Sequence, residues 1–454
     1  EMSASLVGSE MCIRDRSLII KFMIPMCLGN LFQQFYNIAD TLIVGRVLGK
    51  NALAAVGSAY TLMTFLTSVF LGLSMGSGAL FSIYKGKGSD RELRLSVVHA
   101  FGLIMGVTVL LNVLVYLFTD PILWFLRVPE EVYDGMKTYL LVIFAGLVAT
   151  SLYNFFSCLL RALGNSTVPL VFLAVSAVLN IGLDLLFVAV LPWGIAGAAF
   201  ATVIAQYVSG VGITIYVLHS CKDLLPGKEE LCFDRGILGE IVNLSSLTCL
   251  QQSVMNFGIL MVQGLVNSFG ATVMAAFAAA VKIDTFAYLP VQDFGNAFST
   301  FIAQNYGAKE KERIQKGLKE AVRISSIFCI IISILVYIFA KPLMMIFIDA
   351  NETSIILEGV RYLRIEGAFY IGIGCLFLLY GLYRALGRPG MSVVLTVFSL
   401  GTRVALAYIL SSIPALGVIG IWWSVPIGWA LADIVGLVYY KMNKHNLLSF
   451  DGGL

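Results

Sequence analysis

Twelve apolar runs separated by short polar connections dominate the chain. A bilayer crossing takes about 20 predominantly apolar residues. The runs therefore predict twelve transmembrane helices, and those longer than one crossing must tilt or extend beyond the hydrocarbon core. They cover residues 18–44, 53–83, 96–118, 138–160, 168–190, 195–218, 239–266, 272–303, 322–340, 360–383, 391–411 and 417–440.

The composition agrees with this pattern. Of 454 residues, 59% are hydrophobic and 13% are charged, and the mean hydropathy is +0.89. Soluble proteins carry about 25% charged residues. Lipid must therefore be the main solvent, and we predict an all-α integral membrane protein whose largest partner is the lipid bilayer. The net charge of +3 gives no reason to expect nucleic acid as a partner.

Short motifs in the first half of the chain recur in the second half. The sequence Arg-Ala-Leu-Gly at 161–164 returns at 384–387, a shift of 223 in numbering. The same shift carries the Gly-x-x-Gly of 194–197 onto that of 417–420, and a shift of 219 lays the charged turn 88–92 over 307–311. Three matches in one order indicate two copies of one unit. Transporters are often built from such repeats.

The distribution of basic residues sets the orientation. Of the 30 Lys and Arg, 21 lie on one side of the predicted spans, which we assign to the cytoplasm together with both termini. Six spans per half give parallel repeats related by a pseudo-two-fold axis along the membrane normal. We predict two six-helix lobes around a central cleft: an N-lobe at 17–218, a cytoplasmic linker at 219–238, a C-lobe at 239–441 and a cytoplasmic tail at 442–454.

Two shorter segments carry separate expectations. Residues 1–16 have neither apolar periodicity nor the order of a signal peptide, so we interpret them as a non-native or disordered leader. The charged stretch 307–316 has the pattern of a short amphipathic helix on the inner membrane surface, but the preferred interpretation is a solvated charged turn that contacts lipid headgroups.

One span of the first half carries a stripe of polar residues. Gln33, Tyr36, Asn37 and Asp40 follow the spacing i, i+3, i+4, i+7, which places them on one helix face. An acid within a span is costly in lipid, so this face should lie against protein or water. Pro25 interrupts the same span and is a hinge candidate, although a static kink would read the same way in sequence.

Further polar residues follow in spans five and six. Asn180 and Asp184 form an i, i+4 pair, and Thr202 lies in the next span. With Asp40 they supply two carboxylates, an amide and a hydroxyl, which suit a proton relay or a Na+ site. Two neighbouring carboxylates repel each other when both are ionised, which favours uptake of a proton or a cation. The alternative is that both acids only hold neighbouring helices together.

The second half carries different polar residues. Gln251 and Gln252 lie in span seven, and Lys282, Asp284 and Asp293 lie in span eight. These residues either line a wall that contacts substrate, or form internal ion pairs in which Lys282 neutralises one of the two acids. Shifted by 223, Asn180 falls on Arg403 and Asp184 on Ala407, so the sequence predicts paired acids in the first copy only.

Catalytic chemistry has little support. The eight Cys are scattered without a CxxC pair, and the three His lie at span ends or in the tail. Without a His in mid-membrane, or a nucleophile beside a base, a membrane enzyme such as an acyltransferase is disfavoured. We predict no enzyme activity and no cofactor.

Several motifs together resemble the multidrug and toxic compound extrusion (MATE) transporters across nearly the whole chain after residue 17. They are Pro25 with Gln-Gln-x-Tyr-Asn-x-x-Asp at 33–40, Val-Gly at 44–45, Ala-Leu-Ala-Ala-Val-Gly at 52–57, Arg-Ala-Leu-Gly-Asn at 161–165 with Pro169, Asn-x-x-x-Asp at 180–184, Gly-x-x-Gly-Ala at 194–198 and Gln-Asn-Tyr-Gly-Ala at 304–308.

The resemblance implies a plasma-membrane antiporter that exports cationic or amphipathic compounds in exchange for H+ or Na+ by alternating access. It also implies that Asp40, Asn180, Asp184 and Thr202 form the cation or proton site, as in prokaryotic members. One branch carries acids in spans seven and ten. Here span seven has glutamines and Glu366 lies near the outer end of span ten, so coupling through the first lobe is favoured.

Small organic cations are the implied substrates, and one chain holds both lobes, so we expect a functional monomer. A lipid-linked precursor flippase of related architecture is the alternative function. Such proteins have a strongly cationic cavity, whereas only Lys282 and Arg403 lie well inside spans here, away from the span ends. The residues expected to face substrate are Gln33, Tyr36, Asn37, Gln251, Gln252, Lys282 and Asp293.

Overall fold

The computed structural model of the chain describes residues 12–125, 128, 130–224 and 233–448. Regular structure in these residues is helical throughout. In the first half the α-helices are α1 (Cys12–Leu48), α2 (Lys50–Lys87), α3 (Asp90–Leu117), α4 (Thr119–Phe125), α5 (Glu130–Ile143), α6 (Leu147–Ala162), α7 (Thr167–Asp184) and α8 (Gly194–Ser220). In the second half they are α9 (Arg235–Asn267), α10 (Ala271–Gly307), α11 (Lys311–Phe347), α12 (Thr353–Gly367), α13 (Tyr370–Ala385), α14 (Pro389–Ser411) and α15 (Val418–Leu447).

The predicted spans are recovered as helices. Among the described residues, ten helical stretches are long and apolar enough to cross a membrane. The pair α12 and α13, bent by 52° at their junction, makes an eleventh. Helix α1 covers the first predicted run but carries the polar stripe and is not among the ten. Spans four and ten begin earlier than predicted, at Glu130 and Thr353.

Large apolar side chains remain exposed on the protein, as expected for a lipid-facing surface. On α11, one stripe follows the helical spacing i, i+3, i+4, i+7 and consists of Ile327, Ile330, Ile331 and Ile334, each about half exposed. A soluble helix would bury such a stripe against other helices. The outward stripe therefore agrees with α11 as a membrane span.

The backbone confirms the internal repeat. The α6 C-terminus ends in a left-handed Gly164, where the Asn165 N–H donates to the Leu160 carbonyl at 2.8 Å. The α13 C-terminus repeats this at Gly387, where the Arg388 N–H donates to the Tyr383 carbonyl at 2.8 Å. Both Arg-Ala-Leu-Gly motifs are thus Schellman caps, in which glycine takes the left-handed position without a steric penalty.

The Gly-x-x-Gly motifs also occupy equivalent places. A Cβ added at Gly197 would lie 3.0 Å from the Phe187 carbonyl oxygen, and one at Gly420 would lie 2.7 Å from the Leu410 carbonyl carbon. Phe187 and Leu410 are themselves related by the main repeat shift. Each motif therefore brings a span against the backbone of the preceding span, where only glycine leaves room.

The charged turn follows a different register from the predicted one. Gly88 and Lys309 are the left-handed residues, and the bonds Ser89 N–H to Tyr84 and Glu310 N–H to Asn305 are equivalent. The shift from Gly88 to Lys309 is 221, so the predicted shift of 219 is wrong by two. Sequence identity aligned the two glycines, whereas the turn conformation aligns Gly88 with a lysine.

Two segment predictions also differ from the structure. The charged stretch 307–316 is not a separate short helix, because α10 ends at Gly307 and α11 runs without a break from Lys311 to Phe347. Of the predicted leader, residues 12–16 form the first turns of α1 and residues 1–11 lie outside the described residues.

Two compact units divide the chain. The first unit is Ile24–Lys85 with Ser89–Cys249, and the second is Glu1–Met23, Gly86–Gly88 and Leu250–Leu454. The division falls within α9, beyond the predicted linker. Backbone packing explains it: a Cβ at Gly72 would lie 2.5 Å from Cys249 Cα, and one at Gly76 would lie 2.5 Å from Ser245 Cα. Small residues at i, i+4 let α2 approach the start of α9 closely.

We expect Gly76→Ala to destabilise the protein, because the added methyl would meet backbone atoms of α9 that cannot rotate away. Overpacking of this kind costs about 1–3 kcal/mol. Thermal unfolding in detergent measures it. Gly102→Ala in α3 is the matched control, since nothing lies within 4 Å of its added Cβ. Equal melting temperatures for the two variants would contradict the close approach.

Candidate functional site

The polar stripe of α1 contributes one side of the candidate site in the first unit. Helix α1 is continuous through Pro25 and presents Asp40 half-buried. Tyr36 is hydrogen-bonded to Gln33 and is an electrostatic neighbour of Asp40. The predicted stripe therefore ends at an acid that faces protein rather than lipid.

Asp184 of α7 meets Asp40. The two carboxyl groups lie within hydrogen-bonding reach of each other, and Asp184 is completely buried. No donor from the described residues reaches Asp40 Oδ1 or either Asp184 oxygen. Two carboxylates in contact repel each other unless a proton or a cation lies between them. The pair, which joins distant parts of the chain, is therefore a candidate site for one of these.

Asn180 and Thr202 extend the same cluster. The Asn180 Nδ2 group donates to Thr202 Oγ1 at 3.3 Å, and the Thr202 hydroxyl donates to the Ala198 carbonyl at 3.1 Å. This arrangement leaves Asn180 Oδ1 buried without a donor among the described residues. The structure thus brings all four predicted residues of the coupling site into one cluster.

A fifth member, Tyr139 of α5, was not predicted from the sequence. Its side chain is buried within hydrogen-bonding reach of Thr202 and is an electrostatic neighbour of both Asp40 and Asp184. It belongs to the apolar core cluster that also contains Val188, Ala198 and Val203. One signal was available: the main repeat shift carries this tyrosine onto another tyrosine, Tyr362.

The backbone changes at the site. Helix α7 ends at Asp184, and the segment that follows, Leu185–Val190, forms a π-helix. The wider π turns that interrupt α-helices are frequently found at functional sites. The equivalent residues of the second copy, 408–413, begin as regular α-helix in α14. The π segment thus distinguishes the copy that carries the predicted site.

The cluster is rich in acceptors and poor in donors. Its unpaired oxygens come from two carboxylates and one amide. No group of three or more His, Cys, Asp or Glu able to hold a metal ion occurs among the described residues. Oxygen donors of this kind suit a hard monovalent cation or a proton, whereas Zn2+ prefers nitrogen and sulfur.

The predicted substrate-facing residues of the second unit are placed as follows. Gln251, Gln252 and Asp293 are buried in α9 and α10. Lys282 is exposed, with its Nζ 5.9 Å from the Phe347 ring centroid. Neither expected pairing of Lys282 is formed among the described residues. Asp284 lies two residues further on and points to another face of α10, whereas Asp293 shares the face of Lys282 but lies about three turns, roughly 16 Å, along the helix. A role in substrate contact remains a prediction for these residues.

The prediction that paired acids exist only in the first copy is wrong. Asp284 of α10 and Glu366 of α12 are both buried and within hydrogen-bonding reach of each other. The Tyr370 hydroxyl donates to Asp284 Oδ1, and the Tyr362 hydroxyl lies within hydrogen-bonding reach of both acids. A constant shift in numbering could not predict this pair, because it does not carry Asp40 or Asp184 onto Asp284 or Glu366.

Two copies of one helical unit, an apolar exterior and acids kept inside the spans are typical of a membrane transporter. Comparison with known proteins agrees. Residues 25–186 and 247–409 match the family model MatE, once in each copy. The chain is 30% identical over 433 residues to "Probable multidrug resistance protein YpnP" of Bacillus subtilis, covering 94% of this chain and 95% of the relative.

Two further proteins show the same relationship. "Probable multidrug resistance protein NorM" of Thermotoga maritima is 25% identical over 432 residues, covering 92% of this chain and 90% of the relative. A solved outward-facing MATE family multidrug resistance transporter superposes with a TM-score of 0.91 at 22% identity, over 99% of this chain and 98% of that one. The chain belongs to the MATE family of multidrug efflux transporters, which are multi-pass membrane proteins.

We expect the purified protein to gain thermal stability when protons or Na+ are added, because a ligand that binds only the native state stabilises it. A cation concentration about a hundred times the dissociation constant raises the free energy of unfolding by about 2.7 kcal/mol. Asp184→Asn removes half of the acid pair and should abolish the response. It should also raise stability without added cation, since one buried charge is gone.

Glu131→Gln, which changes an exposed acid of α5, is the matched control and should keep the full response. An unchanged cation response in Asp184→Asn would place the binding site elsewhere.

Proposed function

We propose that this protein is an antiporter that exports cationic, amphipathic compounds in exchange for H+ or Na+, with Asp40, Asn180, Asp184 and Thr202 as the coupling site. The observation that carries the proposal is the contact between the half-buried Asp40 and the fully buried Asp184, in which no described donor reaches three of the four carboxyl oxygens. Family membership supports efflux over the flippase alternative, because the relatives YpnP and NorM carry multidrug resistance names.

The driving force comes from cation entry. A membrane potential of 100 mV supplies about 2.3 kcal/mol for each charge that moves inward. A proton or Na+ that binds between Asp40 and Asp184 neutralises their repulsion and draws α1 and α7 together at this point. A cationic substrate attracted by the ionised pair is then released. The inward-moving cation and the substrate therefore cannot be bound at the same time.

The surrounding residues have separate roles in this proposal. Thr202 orients Asn180 through the 3.3 Å bond from Nδ2, so the amide oxygen points away as a ligand. Tyr139 orients Thr202 and closes the site with an apolar ring. Bending of α1 at Pro25 would carry the change at Asp40 along the helix, since a proline removes one backbone hydrogen bond.

The remaining features of the proposal follow from the sequence. The protein works as a monomer, because one chain holds both lobes. It lies in the plasma membrane with both termini in the cytoplasm, because basic residues concentrate on that side. Access alternates between the two sides of the membrane as the two lobes rock against each other. The segments involved are the predicted N-lobe, linker and C-lobe. Gln33, Tyr36, Asn37, Gln251, Gln252, Lys282 and Asp293 remain the candidates for substrate contact.

Transport in proteoliposomes tests the proposal. We expect efflux of a fluorescent organic cation to be driven by an imposed Na+ gradient or pH gradient, each applied alone, and Asp40→Asn and Asp184→Asn to abolish the driven component. The physical reason is that an amide neither takes up a proton nor carries the negative charge that binds Na+. Glu131→Gln should transport like the unmodified protein.

The two gradients identify the coupling ion, because only the one that exchanges will drive efflux. Gradient-driven efflux at the normal rate in both Asp variants would rule out coupling at this site.

Thr202→Val is a milder variant. Valine keeps the shape of threonine but removes the hydroxyl, and it already stands at the equivalent position of the second copy, Val425. We expect a higher cation concentration for half-maximal efflux, by about tenfold for the loss of one hydrogen bond of about 1–1.5 kcal/mol. The maximal rate at saturating cation should change little, and a loss of folding would show as reduced thermal stability.

A further inference from the structure

The second copy holds its acid pair at the place that corresponds to the first site. The main repeat shift of 223 relates Tyr139 to Tyr362, and each tyrosine is an electrostatic neighbour of both acids of its pair. Asn180 and Arg403 are related by the same shift. In both copies the supporting span is interrupted beside the tyrosine, by a 3-10 turn at Phe144–Gly146 and by the bend between α12 and α13.

The two clusters share one electrostatic problem. In each, two carboxyl groups lie within hydrogen-bonding reach, and each keeps at least one buried oxygen that no described donor reaches. Each pair must therefore share a proton or hold a cation. One shared proton still leaves one negative charge on a pair, which is costly to bury without compensation.

The clusters differ in what compensates that last charge. No lysine or arginine of the described residues is among the principal electrostatic neighbours of Asp40 and Asp184. In the second unit, Arg403 of α14 acts electrostatically on both Asp284 and Glu366. The other groups facing this pair are the hydroxyls of Tyr288, Tyr362 and Tyr370, which carry no charge when protonated.

Arg403 is held in place by packing. Its Cβ would lie 3.2 Å from a Cβ added at Gly428 of α15, so the absence of a side chain there leaves room for the arginine stem. Its Nε is buried without a hydrogen-bond partner among the described residues. A guanidinium is always charged and cannot leave. It supplies permanently the positive charge that the first cluster takes from solution.

We propose that Arg403 is a tethered counter-cation for the Asp284–Glu366 pair and thereby limits this transporter to a single exchangeable-cation site. The proposal rests on the coupling role proposed for Asp40 and Asp184. It follows that removing the charge of Arg403 converts the second cluster into a cation site of the same kind. Asparagine, the residue of the first copy at this position, is the natural replacement.

The test uses the full chain with the first site removed. In an Asp40→Asn, Asp184→Asn background, we expect the melting temperature in detergent to be independent of Na+ and pH. Adding Arg403→Asn should restore a cation-dependent rise of a few degrees across a hundredfold increase in Na+ or H+. Arg403→Lys, which keeps the charge, should not restore it. Adding Glu366→Gln to Arg403→Asn should remove the response again.

Each result decides the proposal. The proposal is overturned if the cation-dependent rise in melting temperature is the same in the Arg403→Asn and Arg403→Lys variants. It is also overturned if the rise in the Arg403→Asn variant persists after Glu366→Gln is added. If Arg403→Asn fails to fold, Glu366→Gln should rescue folding by removing the excess charge, and absence of rescue would also overturn it. If the starting background itself responds to cations, the first-site proposal fails, and the difference between Arg403→Asn and Arg403→Lys still tests Arg403.

Discussion

The contact between Asp40 and Asp184 is the interaction around which the first unit is organised. Two acids held together are stable only if something positive or a proton joins them, and no described donor reaches three of their four oxygens. Tyr139, Val188 and Val203 belong to the apolar core of this unit. The cost of burying this charge is the physical basis for the cation dependence proposed above.

The repeated frame places these groups. Schellman caps after Arg161 and Arg384, and close backbone approaches at Gly197 and Gly420, fix the same path of the chain twice. Such contacts involve backbone and glycine, so they tolerate large changes in the side chains they carry. Duplication could therefore preserve the scaffold while Asn180 and Arg403 came to occupy one position with opposite electrostatic consequences.

The asymmetry between the copies is consistent with a division of labour. The first copy has an acid pair without a fixed cation among its described neighbours and a π-helix directly after Asp184. The second has an acid pair beside Arg403 and a 52° bend next to Glu366. Under the coupling proposed for Asp40 and Asp184, a second cluster neutralised by Arg403 would hold helices together without exchanging ions, and the doubled frame would carry one coupling site.

The sequence by itself determined the spans, the repeat, and the four residues that converge on the first site. Apolar runs report the length of a membrane crossing, and the spacing of Gln33, Tyr36, Asn37 and Asp40 reports a helix face, so both are local properties. Only the tertiary structure showed that Tyr139 joins this site and that Asp284 meets Glu366 with Arg403 nearby. Periodicity fixes which side of a helix a residue occupies, but packing decides which helix it faces.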